Sequence, residues 1–575
     1  MMFRIDRFAF NDDTPNKISE LHYGESSVGT NWPVAYIINN SKEAYVGETI
    51  HASQRASQHL KNEDRKKLTE IRIISDEEFN KSVILDLEAF LIRHIHADGK
   101  YNLQNGNDGL QDHEYYQRSK YRKEFEAIWE ELKRLGVVQK TVKEIENSEL
   151  YKYSPFKTLG EEQLEVEMQI IDALIQNHRS GKRSIVIVNG GAGTGKTILA
   201  IYLMKYFADL EAVSRTDYAL IQEDGSEILV EEFDRKELKD IQKIGIVFPQ
   251  KSLRSSIQNV FKGVRNLSKK MVYSPNEVVK DYMKTGKAFD LLLVDESHRL
   301  KCRNKGHLAN YSSFDKCNRD LGLDKFKGTE LDWMMMCSKN VILFRDDLQT
   351  VRPCDIDSED FTRITEKQYP GSVIHSQLET QWRCEGGKEY VNYLRRILSG
   401  RQEYKVNVKN YDVKLFRNCA DMIKEIKRLD NEMRLCRVVA GYAWTWNRSN
   451  PEPFTIGIQG ERYRWNRTYD NWIQSPTAID EIGCIHTVQG YDLNYTGVII
   501  GEDIKYDPMS EKIYAVKENY YDQQGKAGVA DDPEALCSYL TNIYLTLMTR
   551  GIKGTYIYVC DDELRKYFER FFEVV

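Results

Sequence analysis

The residues with the clearest chemical potential lie at 190–197. There Gly190-Gly191-Ala192-Gly193-Thr194-Gly195-Lys196-Thr197 fits the pattern GxxxxGK[ST]. Gly190, Gly193 and Gly195 free the backbone N–H groups to curl around an anion. The helix expected over Ile198 to Phe207 adds the positive end of its dipole. Lys196 is spaced to reach the β- and γ-phosphates of ATP, and Thr197 to ligate Mg2+. Further along, the apolar run Leu291–Val294 ends in Asp295 and Glu296. Acids at the C-terminal end of a buried strand sit where open α/β sheets bind ligands. Asp295 would hold Mg2+ through water, and Glu296 would orient or deprotonate an attacking water.

A second constellation occupies residues 31–110. Val34–Ile38 reads as a strand, Asn39–Glu43 as a turn and Ala44–Gly47 as a second strand. Arg55 and His59 follow at i and i+4, hence on one helix face, and Glu88 lies in a second, apolar helix. Phosphodiester cleavage needs an activated water, a metal ion and a cation on the phosphate. Glu88 would bind Mg2+ or Mn2+, and Arg55 would clamp the scissile phosphate with its planar fork. Tyr36 would take a proton from water, although a free phenol pKa of about 10 demands help from the metal or Arg55. Tyr45 and His59 would position water or phosphate. The competing reading makes the tyrosines core aromatics of a hairpin and Glu88 a paired acid.

The elements that must hold these groups follow from hydrophobic pattern. The chain has 575 residues, so about 150 residues per domain allows roughly three to four domains. Short β-branched runs alternate with helical windows from about Tyr151 onward: Ser184–Asn189, Ile244–Phe248, Leu291–Val294, Val341–Phe344, Arg437–Gly441, Val498–Gly501 and Thr555–Val559. Continuous apolar strands alternating with helices imply parallel sheets covered on both faces. The length implies two such sheets, with a break near Pro370. Between 115 and 149, Phe125, Ile128, Trp129, Leu132 and Leu135 recur at helical spacing before Gly136, which reads as a connector. The expected division is 1–110, a connector at 111–150, then 151–370 and 371–575.

Composition removes several function classes. With 82 basic and 88 acidic side chains the formal charge is −6, and hydrophobic residues are 41%, which disfavours a disordered chain. No run of about 20 apolar residues spans a membrane, no leader pattern is visible, and the ten cysteines form no CxxC pair. These features fit a cytoplasmic protein. A mildly acidic total still permits nucleic acid as a partner, because binding depends on local patches. The stretch Trp444–Arg467 interleaves aromatics with arginines, and reads equally as a base-stacking surface or as hairpin packing. The segments Ser214–Lys239 and Lys301–Lys327 read as short polar inserts, a small hairpin and a basic loop.

Two resemblances organise these motifs. Residues 151–575 resemble a superfamily 1 helicase-type motor of two RecA-like domains, close to the DUF2075 (Schlafen-like) group. Gln163 resembles the adenine-reading glutamine. Asp346-Asp347-Leu348-Gln349 resembles GDxxQ, with Arg345 in place of the glycine and Gln349 near the γ-phosphate. Gln381-Trp382-Arg383, Gln489-Gly490 within His486–Asp492, and Tyr544–Arg550 resemble the later motifs. The resemblance implies that Arg383 and Arg550 reach the γ-phosphate when the domains close. Residues 31–110 resemble the GIY-YIG nuclease domain. Tyr36, Tyr45, Arg55, Glu88 and Asn102 fall on its motif positions, Val34-Ala35 replaces Gly-Ile, and Glu48 stands where some members carry lysine. The implied fold is α/β: a small α+β GIY-YIG-like domain, then two RecA-like domains with parallel sheets. The implied function is an ATP-dependent, metal-dependent endonuclease coupled to a helicase-like ATPase, acting on nucleic acid, DNA before RNA, in anti-phage defence or genome maintenance. A partner protein or homo-oligomer is compatible with it. The alternative is an ATP-switched binding protein or motor whose N-terminal domain does not cleave.

Overall fold

The computed structural model describes residues 3–575 apart from 25, 106–114, 192, 211–237, 239, 304–310, 347–353, 370, 382–383, 447–454, 469–471, 489–491, 527–528 and 530. The chain divides into two compact units. One comprises Met1–Gly181, Thr197–Ile246 and Arg254–Val272; the other comprises Lys182–Lys196, Val247–Leu253 and Tyr273–Val575.

The first unit is built on a five-stranded sheet. Its strands are β1 (Arg4–Ala9), β2 (Val34–Asn39), β3 (Glu43–Thr49), β4 (Glu70–Ser75) and β5 (Asn102–Leu103), in the order β1-β4-β2-β3-β5. β2 lies at its centre with all six residues buried. It pairs antiparallel with β3, setting Tyr36 opposite Gly47, and with β4. Helix α1 (Ala52–Lys61) turns Arg55 and His59 inward, and both are buried. Helix α2 (Lys81–Asp98) begins where the Asn80 side chain accepts the Val83 N–H at 3.1 Å. It stops at Gly99, whose φ of 76° suits a residue without a Cβ. Helix α3 (Arg118–Arg134) forms where the helical spacing predicts one, and Phe125, Ile128, Trp129 and Leu132 are buried. Leu135, read as part of the same stripe, is instead the C-cap and 44% exposed, because the helix ends before it completes another turn. Helix α4 (Glu161–Arg179) completes the N-terminal part. Helix α5 (Lys196–Leu210), the expected helix after the glycine loop, packs Lys205 over the Phe156 ring, with its ammonium bonded to Asp209.

Two further sheets are built of parallel strands, as the alternating pattern requires. The first contains β6 (Ser184–Gly190), β7 (Ile244–Val247), β8 (Val272–Tyr273), β9 (Phe289–Val294), β10 (Ser338–Arg345) and β11 (Ser372–Leu378), in the order β8-β7-β9-β10-β6-β11. β9, β10, β6 and β11 run parallel in register. The first sheet runs past Pro370, near which a break between domains was expected. β11 lies beyond it yet pairs parallel with β6 from Ser372↔Ser184 to Leu378↔Gly190, so the first sheet continues to Leu378. β11 carries His375 and alternates in exposure, which hides it from an apolar-run reading. The second sheet contains β12 (Asp412–Phe416), β13 (Cys436–Ala440), β14 (Ile482–Cys484), β15 (Leu493–Ile500), β16 (Gly551–Val559) and β17 (Glu573–Val574), in the order β14-β13-β15-β16-β12-β17. Among the described residues no helix is long and apolar enough to cross a membrane.

Candidate functional site

The glycine loop leaves the end of β6 as the sequence requires. Gly193 and Gly195 take φ of 84° and 82°, left-handed values open to glycine. A Cβ on Gly190 would lie 2.5 Å from Thr194 Oγ1, so that position tolerates no side chain without a shift. Lys196 is buried and donates to the carbonyls of Gly190 at 2.6 Å and Gly191 at 2.9 Å. Its Nζ lies 3.9 Å from Asp346 Oδ2 at the end of β10. Thr197 sits in the first turn of α5. Gln163 is buried, and its Oε1 accepts the Gly160 N–H at 3.0 Å.

The two acids after β9 are held differently. Asp295 is fully buried, and its N–H donates to Val247 O at 3.0 Å. Glu296 takes a left-handed φ of 50°, a strained conformation for a side-chain-bearing residue. Burial works to raise its carboxyl pKa, but His298, Lys196 and Arg299 outweigh burial and hold it well below the usual carboxylate range. Glu296 therefore stays ionised, suited to orienting water.

His298, to which the sequence reading assigned no role, links this acid to the next strand. The imidazole is fully buried. Its Nδ1 accepts the Asp346 N–H at 3.2 Å, and its Nε2 lies 3.0 Å from Glu296 Oε2. A backbone donor at Nδ1 assigns the proton to Nε2, facing the carboxylate. The signal available in the sequence was its position two residues after Glu296, across a tight turn. Arg345, the departure from GDxxQ, is structural. Its guanidinium lies 4.0 Å over the Phe361 ring and donates to Ser358 Oγ at 2.7 Å. Thr197 hydroxyl and Asp295 carboxylate are hard oxygen donors of the kind Mg2+ takes.

In the first unit, Tyr36, Tyr45, Arg55 and His59 converge. The Tyr36 phenol lies 2.8 Å from His59 Nε2 and accepts from Arg55 Nε at 3.4 Å. Arg65 donates to His59 Nδ1 at 3.2 Å and stacks 4.0 Å over the Tyr45 ring. Because Arg65 can only donate, Nδ1 accepts and Nε2 carries the proton toward Tyr36. Burial, then Arg65 and Arg55, hold His59 well below its ordinary pKa, so it is neutral. Burial raises Tyr36 well above a free phenol. Tyr45 and Glu88 push the same way, and Arg55 opposes them. Glu88 is half-buried on α2 and its charge bears on Tyr36. Gly47 makes room: a Cβ there would lie 2.2 Å from the Tyr36 hydroxyl oxygen.

Asn102, by contrast, is exposed on the edge strand β5. The asparagine that braces this site is Asn105, which accepts the Val46 N–H at 3.0 Å and donates to Val46 O at 2.8 Å. Glu48 holds Lys81, at the head of α2, through contacts of 2.6 and 2.7 Å.

In the second parallel sheet Arg550 is buried where the Pro533–Met548 helix turns into β16. Tyr544 donates to Asp503 at 2.5 Å and accepts the Gly501 N–H at 3.0 Å. Of the aromatic and arginine stretch, Trp465 is buried and stacks on Tyr442 with ring centres 5.4 Å apart, which favours packing for that residue. Gln349, Arg383, Gln489 and Gly490 lie outside the described residues.

Residues 183–561 match the family described as Schlafen group 3, DNA/RNA helicase domain. The chain belongs to this family. The match runs from β6 through β16, and makes the chain a helicase-like ATPase. A curated relative, Uncharacterized protein YPL245W of Saccharomyces cerevisiae, is 24% identical over 441 residues, 71% of this chain and 90% of its own length. Among solved structures, a Pif1 helicase from Bacteroides in complex with ADP-AlF3 and ssDNA aligns with 12% identity and a TM-score of 0.25. It covers 68% of this chain and 91% of its own. AMPPCP-bound DnaA from Aquifex aeolicus aligns with 16% identity and a TM-score of 0.18, over 43% of this chain and 54% of its own.

Proposed function

We propose that the chain is an ATP-driven nucleic-acid-processing enzyme: the helicase domain hydrolyses ATP, and the N-terminal domain cleaves phosphodiesters with a divalent metal. The observation that carries the ATPase half is the convergence of Lys196, Asp346, Glu296 and His298 at the strand ends of a family helicase domain. Lys196 would hold the phosphates, Thr197 and Asp295 would hold Mg2+, and Glu296 would orient water. Arg383 and Arg550 would neutralise charge on the γ-phosphate, while Gln163, Gln349, Gln489 and Gly490 would complete the nucleotide and coupling contacts.

The nuclease half is supported by the Tyr36–His59–Arg65 chain beside Arg55 and Glu88. Tyr36 accepts from Arg55 and His59, contacts that oppose the burial holding it protonated, so it would take a proton from water only with the added charge of a bound metal ion. Arg55 would grip the scissile phosphate, and Tyr45 would position water. Glu88 is a single carboxylate, so Mg2+ or Mn2+ would be held jointly with substrate phosphate and would supply charge neutralisation there. Asn102 is assigned no part. DNA is favoured over RNA, in the cytoplasm, with defence or genome maintenance as the setting.

Purified protein with Mg2+ or Mn2+ and single- or double-stranded DNA or RNA tests both halves. Glu88→Ala should abolish cleavage and spare ATP hydrolysis, and Lys196→Ala should abolish ATP hydrolysis. No cutting of any substrate by wild type would leave the non-cleaving alternative, and cutting by Glu88→Ala would refute the metal assignment.

A further inference from the structure

The first unit brings together two basic segments that are far apart in sequence. Residues 254–272 hold Arg254, Lys262, Arg265, Lys269 and Lys270 with no Asp or Glu. Lys262, Arg265, Lys269 and Lys270 are exposed. Residues 61–67 hold exposed Lys61, Lys66 and Lys67. Two contacts join the segments. Val264 forms a parallel bridge to Leu103, and the Arg265 guanidinium pairs with Asp64 at 2.7 Å. The joined surface thus carries seven exposed basic side chains against two acids, Glu63 and Asp64, in a chain whose net charge is −6. Lys66 and Lys67 pair with those acids at 2.5 and 3.1 Å, both within reach of solvent. Such exposed pairs are worth little and exchange readily for phosphate.

We propose that this strip, Lys61–Lys67 together with Lys262–Lys270, is a docking surface for the phosphodiester backbone of a nucleic acid, aligning it with the Tyr36–Tyr45 cluster. Arg65 makes the connection. It lies in the same turn as Lys66 and Lys67, and its guanidinium covers Tyr45 and bonds His59. A polyanion lying along the lysines would therefore lead to the cluster. An acidic protein or an anionic membrane would match the charge, but nothing in its chemistry would require the aromatic and arginine cluster at the end of the strip. The inference rests on the nucleic-acid reading above and specifies where the strand runs.

The test uses the full chain and fluorescence anisotropy with labelled 20-nucleotide DNA and RNA single strands and a 20-base-pair duplex, without divalent metal. Dissociation constants are measured across a salt series. The variants are Lys262→Ala/Lys269→Ala/Lys270→Ala and Lys61→Ala/Lys66→Ala/Lys67→Ala. All six side chains are exposed, so thermal transitions and basal ATP hydrolysis should stay unchanged. Each lost phosphate contact should lower the slope of log K against log salt by about 0.7 for single strands and 0.9 for duplex, so each triple variant should lose about 2 units or more. Equal slopes and affinities in wild type and both variants would overturn the proposal. So would selective loss of binding to phosphatidylserine vesicles with oligonucleotide binding intact. Loss of cleavage by Glu88→Ala alongside wild-type slopes would leave the strip standing, because binding is read without catalysis.

Discussion

Replacing His298 with alanine should slow ATP hydrolysis without loosening ATP. The buried imidazole accepts the Asp346 N–H at 3.2 Å and faces Glu296 at 3.0 Å, so its removal acts in two places. A buried N–H left without an acceptor costs about 1–3 kcal/mol, which the end of β10 would relieve by moving. Glu296 loses the group that fixes its carboxylate in a strained left-handed turn. If half to all of that penalty is expressed in the transition state, kcat falls about 2- to 150-fold, at 1.36 kcal/mol per decade. KM for ATP should stay within about twofold, because the phosphates are assigned to the glycine loop and Lys196, and no contact joins His298 to Lys196 among the described residues. His298→Asn supplies the control: its amide oxygen can take the place of Nδ1 and accept the Asp346 N–H, so part of kcat should return. Steady-state phosphate release against ATP concentration measures all three proteins. A wild-type kcat for His298→Ala, or a loss confined to KM, would refute the reasoning.

Two further outcomes follow from buried groups in the first unit. His96 is fully buried near Lys205, and burial, then that positive charge, pushes its pKa down to about 3 from 6.5. It is neutral when folded but protonates below 6.5 when unfolded, so stability is lost as pH falls from 6.5 toward 3, by about 2 kcal/mol at pH 5. Hydrogen exchange of the Lys81–Asp98 helix, corrected for intrinsic rates, should show this loss between pH 7 and 5 in wild type and much less in His96→Leu; equal losses would contradict it. Gly47→Ala should displace the Tyr36 ring, since the added Cβ would meet its hydroxyl oxygen at 2.2 Å, and overpacking of this kind costs about 1–3 kcal/mol. Cleavage should fall with ATP hydrolysis intact; wild-type cleavage would show that Tyr36 need not hold its place.

The elements of the candidate nucleotide site were legible because they depend on local pattern: a glycine loop between an apolar strand and a helix, and acids at the end of an apolar strand. Strands β6, β9 and β10 were visible for the same reason, being buried on both faces. β11 was not, because an edge strand alternates polar and apolar residues, and its pairing with β6 is set by tertiary contact alone. His298 and Asn105 were missed because their roles lie in bonds to backbone groups, Asp346 N–H and both polar groups of Val46, which no side-chain motif records. The same limit explains Arg345, whose meaning became clear only with Phe361 and Ser358 beside it. The basic strip likewise depends on a strand bridge joining residues 103 and 264.

The most direct test of the central claim is ATP hydrolysis by wild type, Lys196→Ala and Glu296→Gln, each with and without a single-stranded oligonucleotide. Wild type should hydrolyse ATP, faster with the strand present, and Lys196→Ala should do neither. Glu296→Gln should bind ATP but turn it over at least about 100-fold more slowly, the scale of a lost water-positioning group. Full turnover by Lys196→Ala, or a wild-type rate for Glu296→Gln, would contradict the account.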